Sequence, residues 1–199
     1  MSAVCTRDCF PSILLIMRKL VSNLVIAGAF AITAGTAQAQ TMTVTGKGGG
    51  GSPHVNTVWS VDGANISIAY GRPSLKGRVE STMMPLGAPW RTGADEATVL
   101  TTDKPIVFGA VKLDAGSYTL NTEPGAKEWH LLIGKLGAPK QWGIPYKKDL
   151  EIGRAPMKLG KASAQAEMVT YSIDKGEKGG TLRIEWGTVS VTTPFSVGS

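Results

Sequence analysis

Two stretches concentrate the side chains capable of chemistry. They are Tyr70-Gly71-Arg72-Pro73-Ser74-Leu75-Lys76-Gly77-Arg78 and Trp90-Arg91-Thr92-Gly93-Ala94-Asp95-Glu96-Ala97-Thr98. Arg72, Arg78 and Arg91 carry planar forks of N–H donors that fit a carboxylate, phosphate or sulfate in bidentate fashion. Trp90 offers a flat ring for stacking, and Asp95 or Glu96 could orient the arginines. The same residues admit a second use, as ion pairs that pin two loops to a sheet with Trp90 as a core or lid residue. Buried charges are kept only when paired, and both uses satisfy that. Asp95 and Glu96 are adjacent, so on a strand they point to opposite faces. In a loop they could converge as general acid and base.

The remaining inventory is narrow. His130 follows Trp129 and shares a face with Glu128 and Leu132, whereas Trp129, Leu131 and Ile133 take the other. That alternation describes a half-buried surface histidine, with partnership to Asp95 or Glu96 in a hydrolase as its catalytic alternative. His54 falls near the edge of the domain and is expected in solvent. Two histidines without nearby cysteines make a structural zinc site a poor fit, and no Asp-x-Asp-x-Asp-Gly loop supports calcium. There is no Gly-x-Ser-x-Gly elbow, His-Glu-x-x-His helix or dinucleotide fingerprint. No metal and no cofactor is expected. Trp59, Trp129, Trp142 and Trp186 are read mostly as core residues or loop anchors.

Both polar stretches fall in the long connection between two runs with strand periodicity, and loops held on a rigid sheet are where sites tend to form. Ile66, Ile68 and Tyr70 alternate with polar or small residues, as do Val169, Tyr171 and Ile173, and Leu182, Ile184 and Trp186. Period two buries one face of a strand and wets the other. Asp114-Ala115-Gly116 and Pro124-Gly125 are turn chemistry between apolar runs. Gly187-Thr188 reads as a two-residue hairpin turn. Residues 134–161 carry Pro139, Pro145 and Pro156 and read as a long irregular loop. No stretch sustains helical periodicity over three turns. The expected fold is all-β, an antiparallel sandwich or barrel-like single domain.

The N-terminus reads as an export signal. Met17-Arg18-Lys19 gives a basic start, Leu24 to Ile32 an apolar stretch, and Ala37-Gln38-Ala39 a small-x-small cleavage site. Residues 1–39 are therefore assigned to a signal peptide, with 1–16 as a spurious upstream extension. Residues 40–52, ending in Thr45-Gly46-Lys47-Gly48-Gly49-Gly50-Gly51-Ser52, are assigned to a flexible linker, and 53–199 to the β domain. The apolar stretch is short for a membrane span, which needs about 20 residues. Cleavage would remove Cys5 and Cys9, leaving no thiol, and would lower the formal charge from +6 to +4 by removing Arg7, Arg18, Lys19 and Asp8. The lysines are scattered, which disfavours nucleic acid as a partner.

The two polar stretches, followed by Ala115-Gly116-Ser117-Tyr118 and Trp142-Gly143, resemble in order and type the signature of an exported bacterial family described only as domain of unknown function 2911. Asp95 stands where that signature usually has Asn. The resemblance spans about 52–195 and implies an exported β-rich domain without assigning an activity. Three functions stay open. The leading one is a periplasmic or secreted binding module for a polar or anionic small ligand or glycan, using Arg72, Arg78, Trp90, Arg91, Asp95, Glu96 and His130. The second is a hydrolase using Asp95 or Glu96 with His130. The third is a structural envelope or protein-interaction domain.

Overall fold

The computed structural model describes residues 40–198, and the signal-peptide reading of residues 1–39 lies outside them. Ten strands follow in order: β1 (Thr41–Lys47), β2 (Pro53–Val61), β3 (Ala64–Gly71), β4 (Thr98–Thr102), β5 (Ile106–Phe108), β6 (Val111–Leu113), β7 (Gly116–Glu123), β8 (Glu128–Lys135), β9 (Glu151–Gly176) and β10 (Gly179–Val197). They form one antiparallel sheet, ordered β1-β2-β3-β4-β7-β8-β9-β10-β5-β6, which does not close into a barrel. Among the described residues the only helical turns are two short 3-10 segments, Glu80–Thr82 and Lys148–Leu150.

The alternation read from the sequence is the alternation of burial. Ile66, Ile68 and Tyr70 on β3, Val169, Tyr171 and Ile173 on β9, and Leu182, Ile184 and Trp186 on β10 all lie in one core, with Trp59 of β2 fully enclosed among them. The sheet curls on itself. Tyr70 and Tyr171 meet edge to face with ring centroids 4.6 Å apart, so the inner face of β3 packs on that of β9. β9 supports this by its length. Its first residues pair with β8 up to Lys158, and from Lys158 onward it pairs with β10.

Three local expectations are corrected. Residues 41–47 are not linker: they form β1, which pairs antiparallel with β2, and only Gly48–Ser52 remain as a tight turn. Glycine supplies flexibility only where no neighbouring strand takes up its hydrogen bonds, and β2 takes up those of β1. The irregular stretch begins after β8, which ends at Lys135, and ends at Leu150, because Glu151 to Lys161 already belong to β9. Gly187 is not a hairpin corner. It pairs with Ala166 within β10, and its φ of +61° accompanies register shifts on either side, while the chain reverses at Glu177-Lys178. A left-handed glycine serves a bulge as well as a turn, so the sequence signal is the same for both.

Candidate functional site

The long connection from Gly71 to Thr98 lies against the β sheet through backbone pairing at three points. Ser74 bridges Met168 on β9, Trp90 bridges Thr122 on β7, and Glu96 bridges Trp142 in the β8–β9 connection. Glu80 adds a fourth anchor, since its carboxylate accepts hydrogen bonds from the backbone N–H and the hydroxyl of Thr188, with the N–H at 3.0 Å. Gly187 leaves room for it: a Cβ there would lie 2.5 Å from the Glu80 carboxyl carbon. Hydrogen bonds to Thr188 hold the Glu80 carboxyl below its ordinary range.

Within Trp90–Thr98 the backbone turns sharply. Thr92 has φ +52° and Asp95 φ +64°. Asp and Asn tolerate this region, but a β-branched threonine there is strained, at a cost on the order of 1–3 kcal/mol. Thr92 is fully buried and held in place from several sides. Its hydroxyl lies 2.8 Å from that of Thr122 and donates to Trp90 O at 3.0 Å. Its carbonyl accepts from the Tyr171 hydroxyl at 3.0 Å. Burial pushes the Tyr171 and Tyr70 phenols above the usual tyrosine range, so both stay protonated beneath the turn.

This turn sets Arg91 beside a cavity, Asp95 beneath the turn at Gly48 and Trp90 against the core. The Trp90 ring stacks on Trp186 at 5.5 Å and meets Trp129 edge-on at 6.3 Å. Trp90 and Trp186 also line a cavity of about 570 Å³, with Arg78, Arg91, Asp95 and Met83. The three arginines are placed differently from one another. Arg72 reaches β9, donating from Nε to Val169 O at 3.0 Å and from Nη2 to Thr170 Oγ1 at 2.9 Å. It ties β3 to β9 and does not line the cavity. Arg78 is exposed and caps its own loop, donating to Leu75 O at 2.9 Å and Ser74 O at 2.8 Å. Arg91 donates only from Nε, to Gly93 O at 3.2 Å, and among the described residues its two terminal nitrogens make no hydrogen bond or ion pair.

Asp95 and Glu96 do not pair with these arginines among the described residues; they face His54. His54 Nε2 lies 3.0 Å from Asp95 Oδ2, and Nδ1 lies 3.3 Å from Glu96 Oε2. The Glu96 oxygen is buried and makes no aligned hydrogen bond. His54 is not in free solvent because β1 extends the sheet beyond β2 and the turn after β1 folds over it. Gly48 closes the lid: a Cβ there would stand 1.8 Å from Asp95 Oδ2 and 2.8 Å from His54 Nε2. His54, Asp95 and Glu96 line a second cavity of about 550 Å³ with Lys47, Lys140 and Trp142. His130 lies elsewhere, on β8 opposite Glu123 and Pro156, and makes none of the ion pairs among the described residues.

The Trp142-Gly143 pair completes the arrangement. Gly143 N donates to Asp95 O at 3.0 Å, and Ala97 N donates to Gln141 O at 2.8 Å. Trp142 is 52 % exposed, so it is neither core residue nor buried anchor. A family model described as "Protein of unknown function (DUF2911)" matches residues 52–195. The chain belongs to the DUF2911 family. No curated protein matches it, and no solved structure does. Position 95 takes a left-handed backbone and offers an oxygen to His54, and Asp meets both requirements. The Ala-Gly-x-Tyr element has a local role, the Tyr118 hydroxyl donating back to Asp114 O at 2.9 Å. His54 and the lid glycine were missed in the sequence because nothing in their spacing announces β1. The signal available was the alternation of Met42 and Val44 with threonines, masked by the glycines that follow.

Proposed function

We propose that this DUF2911 domain is an exported module that binds a small anionic ligand in the cavity lined by Trp90, Arg91, Arg78 and Trp186. The observation that carries the reading is Arg91. Among the described residues its terminal nitrogens are without a partner, beside a concavity with aromatic walls, and a guanidinium in that position suits a carboxylate, phosphate or sulfate. Arg78 adds positive charge to the same wall. The strained turn at Thr92 supports the reading, because strain of this kind persists where a loop must hold one particular shape. Export rests on the basic, apolar and small-x-small pattern of residues 17–39.

Binding is better supported than hydrolysis. Asp95 and Glu96 are turned toward His54, whose two ring nitrogens both face carboxylates. The pairing of Asp95 or Glu96 with His130 that a hydrolase would use is not formed, since His130 lies on β8 opposite Glu123 and Pro156. The test is a thermal-shift series with phosphate, sulfate and a uronic acid on wild type, Arg91→Ala and the exposed control Lys178→Ala. A hundredfold excess over the dissociation constant stabilises by about 2.7 kcal/mol. The expected result is an anion-induced rise in melting temperature in wild type and Lys178→Ala that is absent in Arg91→Ala, with the unliganded melts close together. A wild type indifferent to every anion, or an Arg91→Ala protein that keeps the full shift, overturns the reading.

A further inference from the structure

The two cavities have one residue in common and one turn along both their rims. Asp95 lines each, and of the turn after β1, Gly50 and Ser52 line the first while Gly48 and Gly49 line the second. We propose that the ligand is an acidic oligosaccharide of two or more units, with an acidic group held at Arg91 and a neighbouring sugar ring laid on Trp142. This rests on the anionic-ligand reading of the Arg91 cavity.

Two observations favour a sugar chain on the second cavity. First, Trp142 exposes half of its surface on a backbone fixed by the pairing of residues 141–143 with 95–97. A large flat ring with few rotatable bonds, carried on a fixed backbone, offers apolar contact at modest cost in order. Second, the polar groups around it alternate in kind. Lys47 and Lys140 donate, while Glu96 accepts and keeps 37 % of its side chain exposed. Hydroxyl groups both donate and accept, so a polyhydroxylated ligand satisfies such a mixture better than an ion alone.

Isothermal titration calorimetry on the purified protein tests this with galacturonic acid, its dimer and trimer, neutral maltotriose and triglutamate. The expected result is affinity rising at least tenfold from monomer to trimer, with no binding of maltotriose or triglutamate. Trp142→Ala should return the trimer to the monomer's affinity, Trp142→Phe should keep part of the gain, and Arg91→Ala should abolish binding of all three uronates. Equal affinity for monomer and trimer, or a trimer affinity unmoved by both Trp142 variants, overturns the extended ligand while leaving Arg91-dependent monomer binding intact. Triglutamate bound with the same dependence on Trp142 overturns the sugar class in favour of an acidic peptide. Phosphate or sulfate bound at Arg91 with no uronate bound also overturns the sugar class, and failure of every anion overturns both proposals together.

Discussion

Gly143 lies against the aliphatic stem of Arg91: a Cβ on Gly143 would stand 2.8 Å from Arg91 Cδ, 3.0 Å from Asp95 O and 3.2 Å from Glu96 O. The Trp-Gly element therefore supports the arginine that the proposed ligand needs, from a part of the chain some fifty residues away. Two of the three neighbours are backbone atoms that cannot swing aside. Gly143→Ala should destabilise the protein by about 1–3 kcal/mol, the usual range for forced overpacking. It should also weaken anion binding by displacing Arg91. Denaturant melts and the anion thermal shift, read on the same variant, check the two effects.

The glycine-rich turn gives an internally controlled pair of variants. A Cβ on Gly48 would enter the Asp95 carboxylate, whereas one on Gly49 meets nothing within 4 Å. Gly48→Ala should lower the melting temperature and loosen the turn over His54, and Gly49→Ala should leave both nearly unchanged. Hydrogen exchange of the β1 and β2 amides would report the loosening directly. Equal behaviour of the two variants would mean that the turn does not seal the His54–Asp95 contact.

Acid stability should depend on an ion-pair cluster that joins β7 and β9. Arg154 bonds Glu151 through Nε at 2.9 Å and Glu123 through Nη1 at 3.0 Å, and the Tyr146 hydroxyl donates to Glu151. The Arg154 hydrogen bonds, aided by Tyr146 and Lys148, hold the Glu151 carboxyl down at about 2. A carboxyl depressed by folding adds stability that is complete above its unfolded value, ordinarily near 4.5. That stability is lost as pH falls from there toward about 2. Glu151→Gln should therefore melt below wild type at pH 7 and converge with it near pH 2. Solvent screening limits the difference to about 1 kcal/mol, or roughly 2–4 °C for a domain of this size. Parallel curves across that range would show that Glu151 does not govern the acid limb.

The inward faces of β3, β9 and β10 were legible because period-two alternation states which side of a strand meets the core, whatever strand lies beside it. The neighbour relations were not. β1 is exposed at every residue, so it carries no burial pattern to reveal it, and His54 was assigned to an edge that β1 covers. The signature loop was legible by its composition as the place where charged and aromatic side chains gather. What its charges do was not, since a carboxylate four residues from an arginine says nothing of its direction once Thr92 and Asp95 take left-handed backbones. Asp95 turns to His54, a partner 41 residues away, and leaves Arg91 without the ion pair that composition suggested.

The placement of the β5–β6 hairpin has a consequence for the order in which the fold can be completed. Ile106 and Phe108 are buried, yet their strand joins the sheet through β10, by Val107 opposite Ser196 and Ile106 opposite Val197. Phe108 and Phe195 seal the junction with ring centroids 5.4 Å apart. In a chain built from its N-terminus, β4 and β7 can zip together early and leave the hairpin between them looped out with its apolar face bare. Only when residues 195–197 arrive can that face be covered, so the last strand acts as a latch. A chain interrupted before Phe195 would retain most of its ladders and still expose a sticky hairpin, a mark by which a quality-control protease could tell an unfinished molecule from a finished one.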